Sequence, residues 1–327
     1  MDKKISIVIP IYNSQNNLPP LIQRLTSVLS SLSIPYEIIL VNDGSRDQSW
    51  QTIKDLSNKY PNIRAFDLMR NYGQHNALLC GIRKALGKII ITMDDDLQHP
   101  PEAIPQLLEK LQEGYDVVYS VPQEEKHSLW RNITSKLIKL ILKKAMRVSK
   151  AQQISAFRAF NTQLRESFSE YKGTFVSIDV LLSWGTTRFA SVKTKHNSRL
   201  SGHSQYTLKK LLSHALTLIT GFSILPLQFS SLLGFASILF GIAVLVYVFI
   251  RFLQSGGIVP GFTFLSSIIA IFAGVQLFSI GMIGEYLGRL FSRTLGQPTY
   301  IIRQQENSHK TDIKVHEESI EEMKHEQ

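Results

Sequence analysis

Apolar and polar residues alternate in blocks along the first 120 positions. Short, largely apolar runs at Ile5–Ile9, Glu37–Val41, Ile63–Leu68, Ile89–Met93 and Asp116–Tyr119 have the length and content of strands. Between them, Leu18–Leu32, Gln48–Lys59, Gln74–Leu86 and Pro105–Glu113 repeat their apolar residues at helical spacing. This alternation predicts an α/β fold with a mainly parallel sheet and helices on both faces. Ligands of such sheets bind beyond the carboxyl ends of the strands. Pro10-Ile11-Tyr12-Asn13, Asn42-Asp43-Gly44-Ser45 and Asp94-Asp95-Asp96 each follow a predicted strand. They are expected to meet in one crevice.

The pattern changes in the second half. No Asp, Glu, Lys or Arg occurs from Leu211 to Ile250, nor from Phe252 to Gly284. Each window exceeds the roughly 20 apolar residues a helix needs to cross a bilayer core. A two-helix transmembrane hairpin is predicted, with spans at 227–250 and 262–287. The chain starts directly in a strand pattern, with no signal-peptide hydrophobic region, so the domain over 1–206 is expected in the cytosol. Lys209 and Lys210 precede the first span, and Arg289, Arg293 and Arg303 follow the second. Charge of this kind puts both termini of a multi-pass protein on the cytosolic side. Gly281, Gly284 and Gly288 permit close helix approach, in a homo-oligomer or within one hairpin.

Three further segments stand out. In 129–147, Ile133, Leu137, Leu140 and Ile141 form an apolar stripe, with Lys136, Lys139, Lys143 and Lys144 off it. Such a helix suits the membrane interface, or packing on its own domain. Residues 207–226 are a second interfacial candidate. The tail over 304–327 is polar and without aromatic residues, which predicts disorder. The chain has 327 residues and a net charge of +10. The apolar windows and the lysine-rich segment over 129–147 make a membrane the expected partner, and no nucleic acid is expected. The lone Cys80 fits a reducing compartment and reads as a core residue.

Asp94-Asp95-Asp96-Leu97-Gln98 is the strongest chemical signal. Three successive carboxylates repel one another unless something neutralises them. Oxygen ligands of this type suit Mg²⁺ or Mn²⁺, completed by water and substrate phosphates. Strand-like alternation would put Asp94, Asp96 and Gln98 on one side and Asp95 on the other. Asp43 sits in an Asp-Gly-Ser sequence that serves equally as a plain turn or as an acceptor for a base or ribose. Pro10, Tyr12 and Asn13 would line the same pocket. The stretch from Arg70 to His75 adds polar groups at the third strand's exit, with His75 expected to be structural.

Taken together, the chain resembles the polyprenyl-phosphate glycosyltransferases, which have a GT-A fold. The matching stretches are Val8 to Asn13, Asn42 to Ser45, Asn71 to His75, Asp94 to Glu102, Phe157 to Phe160, Arg199 to Tyr206 and Gly284 to Arg289. Their order, with the two apolar windows, is similar to the bacterial enzymes that glucosylate undecaprenyl phosphate and to the aminoarabinose-type transferases. The resemblance implies a nucleotide-sugar donor, first expected as UDP-glucose, and a polyprenyl phosphate acceptor at a bacterial inner membrane. It implies that Asp43 meets the base or ribose, and that Asp94 and Asp96, with Gln98, hold a metal against the diphosphate. It implies further that Arg158 faces donor or acceptor, and that Lys126, Arg131, Arg199, Ser204 and Tyr206 meet phosphates.

Two departures stand in this chain. Ser14 occupies a position that is usually Glu in the family, and Gln152 a position that is often an Asp proposed as base. Asp95 and Asp179 are replacement candidates. A phosphate monoester, however, has a second pKa of about 6 and is largely anionic at neutral pH without a base. In-line attack would invert the anomeric centre. A processive polysaccharide synthase is the nearest rival, but no Gln-x-x-Arg-Trp precedes Trp50, Trp130 or Trp184. A membrane scaffold is a second rival, and the intact aspartates speak against it.

Overall fold

The computed structural model describes residues 4–123, 154–173, 176–195, 224–254 and 261–307. It divides into two units, one of Met1–Gln205 with Gln297–Gln327 and one of Tyr206–Gly296. The first unit begins with the predicted alternation: β1 (Ile5–Ile11), α1 (Leu18–Ser31), β2 (Tyr36–Asn42), α2 (Ser49–Lys59), β3 (Ile63–Leu68), α3 (Gln74–Lys84), β4 (Ile89–Thr92), α4 (Ile104–Gln112) and β5 (Val117–Pro122). It continues with β6 (Arg158–Asn161), α5 (Ile178–Gly185) and β7 (Phe189–Thr194), three elements the periodicity did not predict.

The strands form one eight-stranded sheet in the order β7-β5-β6-β4-β1-β2-β3, closed at the far edge by β8 (Ile302–Asn307). β1 pairs in parallel with β2 and β4, and β2 with β3, while β6 runs antiparallel to β4 and β5. Every residue of β1 is buried, as expected where helices cover both faces of a parallel sheet. The reason is visible in α1. Leu18, Leu21, Ile22, Leu25 and Leu29 fall on one stripe and are buried, and the prolines that start this helix need no intrahelical partner for their missing N–H. α3 lies close on the sheet because residue 81 is glycine: a Cβ there would come within 2.3 Å of Val8 Cγ1. Cys80, beside it, is buried, and burial pushes its thiol up to about 12, as suits a core residue.

β8 corrects the expected tail. Residues 304–307 are strand rather than disorder, paired antiparallel with β3 from Arg64↔Asn307 to Leu68↔Ile302. The first unit is therefore not the continuous stretch 1–206: the chain returns to the sheet after the apolar helices. Residues 308–327 lie outside the described residues.

The second unit contains α6 (Leu225–Gln254) and α7 (Phe262–Thr294). Each is longer than its predicted span, and both are long and apolar enough to cross a membrane. Gly241 lets Phe272 approach between the two helices, where a Cβ would stand 2.9 Å from its ring. Among the described residues, a Cβ at Gly281, Gly284 or Gly288 would meet nothing within 4 Å. The segment 129–147 and residues 207–223 lie outside the described residues.

Candidate active site

Register brings the polar strand ends together. Asn42 of β2 lies opposite Ile11 of β1 and Asp67 of β3, while Thr92 of β4 lies opposite Val8. The residues that follow these strands line a cavity of about 670 Å³. Pro10, Tyr12, Asn13, Asp43, Asp94, Asp95 and Asp96 all line it, as the sequence led us to expect. Ser14, Asn17, Asn71 and Gln74 join them.

Asp43 is 2% exposed. Its Oδ1 accepts the Tyr72 N–H at 2.7 Å and its Oδ2 the Gly73 N–H at 2.9 Å. Burial raises its pKa above the ordinary 3.8, and the two N–H donors only partly offset this. The turn that carries it needs Gly44, which has φ +63°; a Cβ there would come within 2.6 Å of the Arg70 carbonyl carbon and the Asn71 nitrogen.

The loops after β1 and β2 cap each other. Asn13 and Ser14 donate their N–H groups to Ser45 Oγ and Ser49 Oγ at 3.0 and 2.8 Å. In return, Arg46 N–H reaches Asn13 Oδ1 at 2.8 Å. Asn13 is left-handed, with φ 53°, a conformation asparagine tolerates better than most residues.

The aspartates do not follow strand alternation. β4 ends at Thr92, and Leu97 turns back with φ 59°. All three carboxylates therefore border the cavity, whereas Gln98 is not among its lining residues. The Gln98 N–H donates to Asp96 Oδ1 at 3.1 Å, which ties the turn to that carboxylate. Asp95 packs under the loop after β1: the Tyr12 N–H approaches its Oδ2 at 3.4 Å, with the Ser14 hydroxyl beside it. Loss of water pushes its carboxyl up to about 6, and the neighbouring Asp96 adds to this.

Gln74 is the residue that sequence reasoning underweighted. Its Nε2 donates to Asp94 Oδ1 at 2.6 Å from the first turn of α3. The available signal was its place at the exit of β3. Among the described residues, no three His, Cys, Asp or Glu side chains converge as a closed metal cage. The donor set still fits Mg²⁺ or Mn²⁺, which take one or two carboxylates and fill the remaining positions with water and phosphate oxygens.

Arg158 is corrected by the structure. It does not reach the cavity: it is 2% exposed and ion-paired with Asp179 inside the protein. Its Nε donates to Thr92 Oγ1 at 3.1 Å, and Asp179 also accepts the Tyr119 hydroxyl at 2.9 Å. Arg158 thus supports the end of β4 from below, and Asp179 is committed as its counterion. Lys126, Arg131, Gln152, Arg199, Ser204 and Tyr206 lie outside the described residues.

A mainly parallel sheet with acidic turns converging at its carboxyl edge is an arrangement suited to binding a phosphate-bearing ligand with a divalent cation. The chain belongs to glycosyl transferase family 2, which residues 6–172 match. It is 36% identical over 305 residues to the undecaprenyl-phosphate 4-deoxy-4-formamido-L-arabinose transferase of Yersinia enterocolitica, covering 92% of this chain and 93% of that one. It is 33% identical to the Pseudomonas aeruginosa transferase of the same name, over 91% and 89% of the two chains. In fold it is similar to glucosyl-3-phosphoglycerate synthase of Mycobacterium tuberculosis, solved with Mn²⁺, UDP-glucose and phosphoglyceric acid. The TM-score is 0.50 at 18% identity, covering 67% of this chain and 78% of that one.

Proposed function

We propose that this enzyme transfers one sugar from a UDP-linked donor to a polyprenyl phosphate, with undecaprenyl phosphate as the acceptor. The observation that carries this reading is the convergence of Asp43 with Asp94, Asp95 and Asp96 on one cavity, in a chain alike over nine-tenths of its length to transferases named for that acceptor. Those relatives make 4-deoxy-4-formamido-L-arabinose the first sugar to test and glucose the second.

In this reading the base and ribose lie along Pro10, Tyr12, Asn13 and Asp43, and the diphosphate lies toward the aspartates. Asp94 and Asp96 would hold Mg²⁺ or Mn²⁺, which supplies Lewis acidity for the departing diphosphate when bound. Gln74 orients Asp94, the Gln98 N–H orients Asp96, and Asp95 fixes the loop that carries Tyr12. The acceptor phosphate, already anionic, attacks in line and inverts the anomeric carbon. Protein groups are then needed for alignment and charge control rather than proton removal. Asp179, held by Arg158, is not the base. Lys126, Arg131, Arg199, Ser204 and Tyr206 are assigned to phosphate contacts by resemblance.

The two apolar helices cross a bacterial inner membrane in this reading, with the sheet domain and both termini cytosolic. The lysines and arginines flanking the apolar windows support that orientation. The test is a donor screen on purified full-length protein with undecaprenyl phosphate and Mg²⁺ or Mn²⁺, read by mass spectrometry. A lipid carrying one sugar is expected. A polymer, or no product with any UDP-sugar, would overturn the reading.

A further inference from the structure

The strand that follows the apolar helices does more than finish the sheet. Arg303 of β8 reaches across β3, with its Nη1 3.5 Å from Asp67 Oδ2 and its Nη2 donating to the Met69 carbonyl at 2.5 Å. Asp67 is 3% exposed, and its other oxygen accepts the Asn42 Nδ2–H at 2.7 Å. That bond fixes which way the buried Asn42 amide faces. With Nδ2 turned toward the carboxylate, Asn42 Oδ1 faces the turn and accepts the Ser45 N–H at 3.4 Å. Ser45 Oγ in turn accepts the N–H of Asn13, which borders the cavity. Asp43 lies inside this turn.

We propose that Arg303 and Asp67 are positioning residues of the donor pocket, acting through Asn42 to set the 42–45 turn. Neither lines the cavity. Their effect passes through one amide whose orientation has two states. If Asp67 stops accepting, Asn42 is free to flip, and its Nδ2 would then oppose the Ser45 N–H, donor against donor. The catalytic turn is thereby tied to a strand that arrives only after the apolar hairpin. The pocket's role as a donor site rests on the function proposed above; the tie between β8 and the turn does not.

The experiment uses the full-length protein in detergent, as Arg303→Ala, Arg303→Lys and Asp67→Leu, the last removing the acceptor of the Asn42 amide. Hydrogen–deuterium exchange is followed over 42–46, with 5–11 as the internal control. Exchange in 42–46 is expected to quicken about fivefold in Arg303→Ala and Asp67→Leu while the control is unchanged, and Arg303→Lys should restore most of the protection. UDP with Mg²⁺, titrated calorimetrically, should bind about fivefold more weakly to the first two variants. Unchanged exchange in 42–46, or equal acceleration across the sheet, would overturn the proposal. So would unaltered UDP affinity despite faster exchange. If the unsubstituted protein does not bind UDP, the donor assignment fails, and the exchange data still decide the tie. Asp67→Leu also covers the case in which Arg303→Ala does not fold.

Discussion

Glu37 and Asp43 flank the same strand, one near the start of β2 and one just past its end, and burial affects them in opposite ways. Both are almost fully buried. At Glu37, burial alone would raise the pKa, but Ser6 Oγ donates at 2.6 Å, the Leu86 N–H at 2.7 Å and Arg64 Nη1 at 2.7 Å, and the net shift is downward. At Asp43, two backbone N–H groups do not overcome burial, and the net shift is upward. A buried carboxylate with a guanidinium and two further donors is a finished structural element. A buried carboxylate satisfied only by backbone, at the edge of a cavity, keeps lone pairs for something else. The amino end of the sheet is thus locked, and the carboxyl end is held in shape at some cost in electrostatic energy.

The sharpest way to break this contrast is at the carboxyl end. Asp96→Ala should lower sugar transfer on the order of a thousandfold while the thermal transition stays near that of the unsubstituted protein. Appreciable turnover in that variant would remove the aspartates from the chemistry. At the locked end the expected loss is one of stability. Glu37→Ala leaves the Leu86 N–H without its acceptor and Arg64 Nη1 with only the Lys84 carbonyl at 2.8 Å, at a cost of about 3 kcal/mol in denaturant unfolding. Because the folded pKa of Glu37 lies below its ordinary 4.5, its contribution is complete above that value and is lost as pH falls through the folded pKa. The unsubstituted protein should therefore lose stability below about pH 4.5 more steeply than Glu37→Ala does.

Gly44→Ala tests whether the open end tolerates movement. The new methyl would meet backbone at 2.6 Å in a left-handed conformation. A loss of about 2 kcal/mol is expected, with weaker donor binding, seen as a raised KM. The smallest effect should come from Arg24→Ala. Its pair with Glu102, at 2.9 Å between exposed side chains, should contribute no more than about 0.5 kcal/mol in a thermal melt.

The contrast also shows which features a sequence displays. The order of strands and helices through β5 was legible because each apolar run or stripe reports a local burial pattern. The carboxylates were legible by residue type and by their place after strands. Which way they face was not: the turn at Leu97 is a backbone reversal that alternation cannot anticipate. The resemblance implied that Arg158 faces donor or acceptor. Only the fold brings Asp179, 21 residues away, to neutralise it inside the protein. Gln304 to Asn307 looked disordered because an edge strand with polar side chains carries no apolar period. Its pairing partner lies in β3, more than 200 positions earlier, as the bond between Arg303 and Met69 shows.

That late strand has a consequence for handling the protein. A soluble fragment ended before the hairpin, at residue 206, would lack β8 and leave the hydrogen-bonding edge of β3 bare. Bare edges invite other chains to pair with them. The same logic applies on the ribosome. The catalytic sheet is almost wholly synthesised before the hairpin, yet its last strand emerges only afterwards, so the domain cannot be completed until both apolar helices have been made.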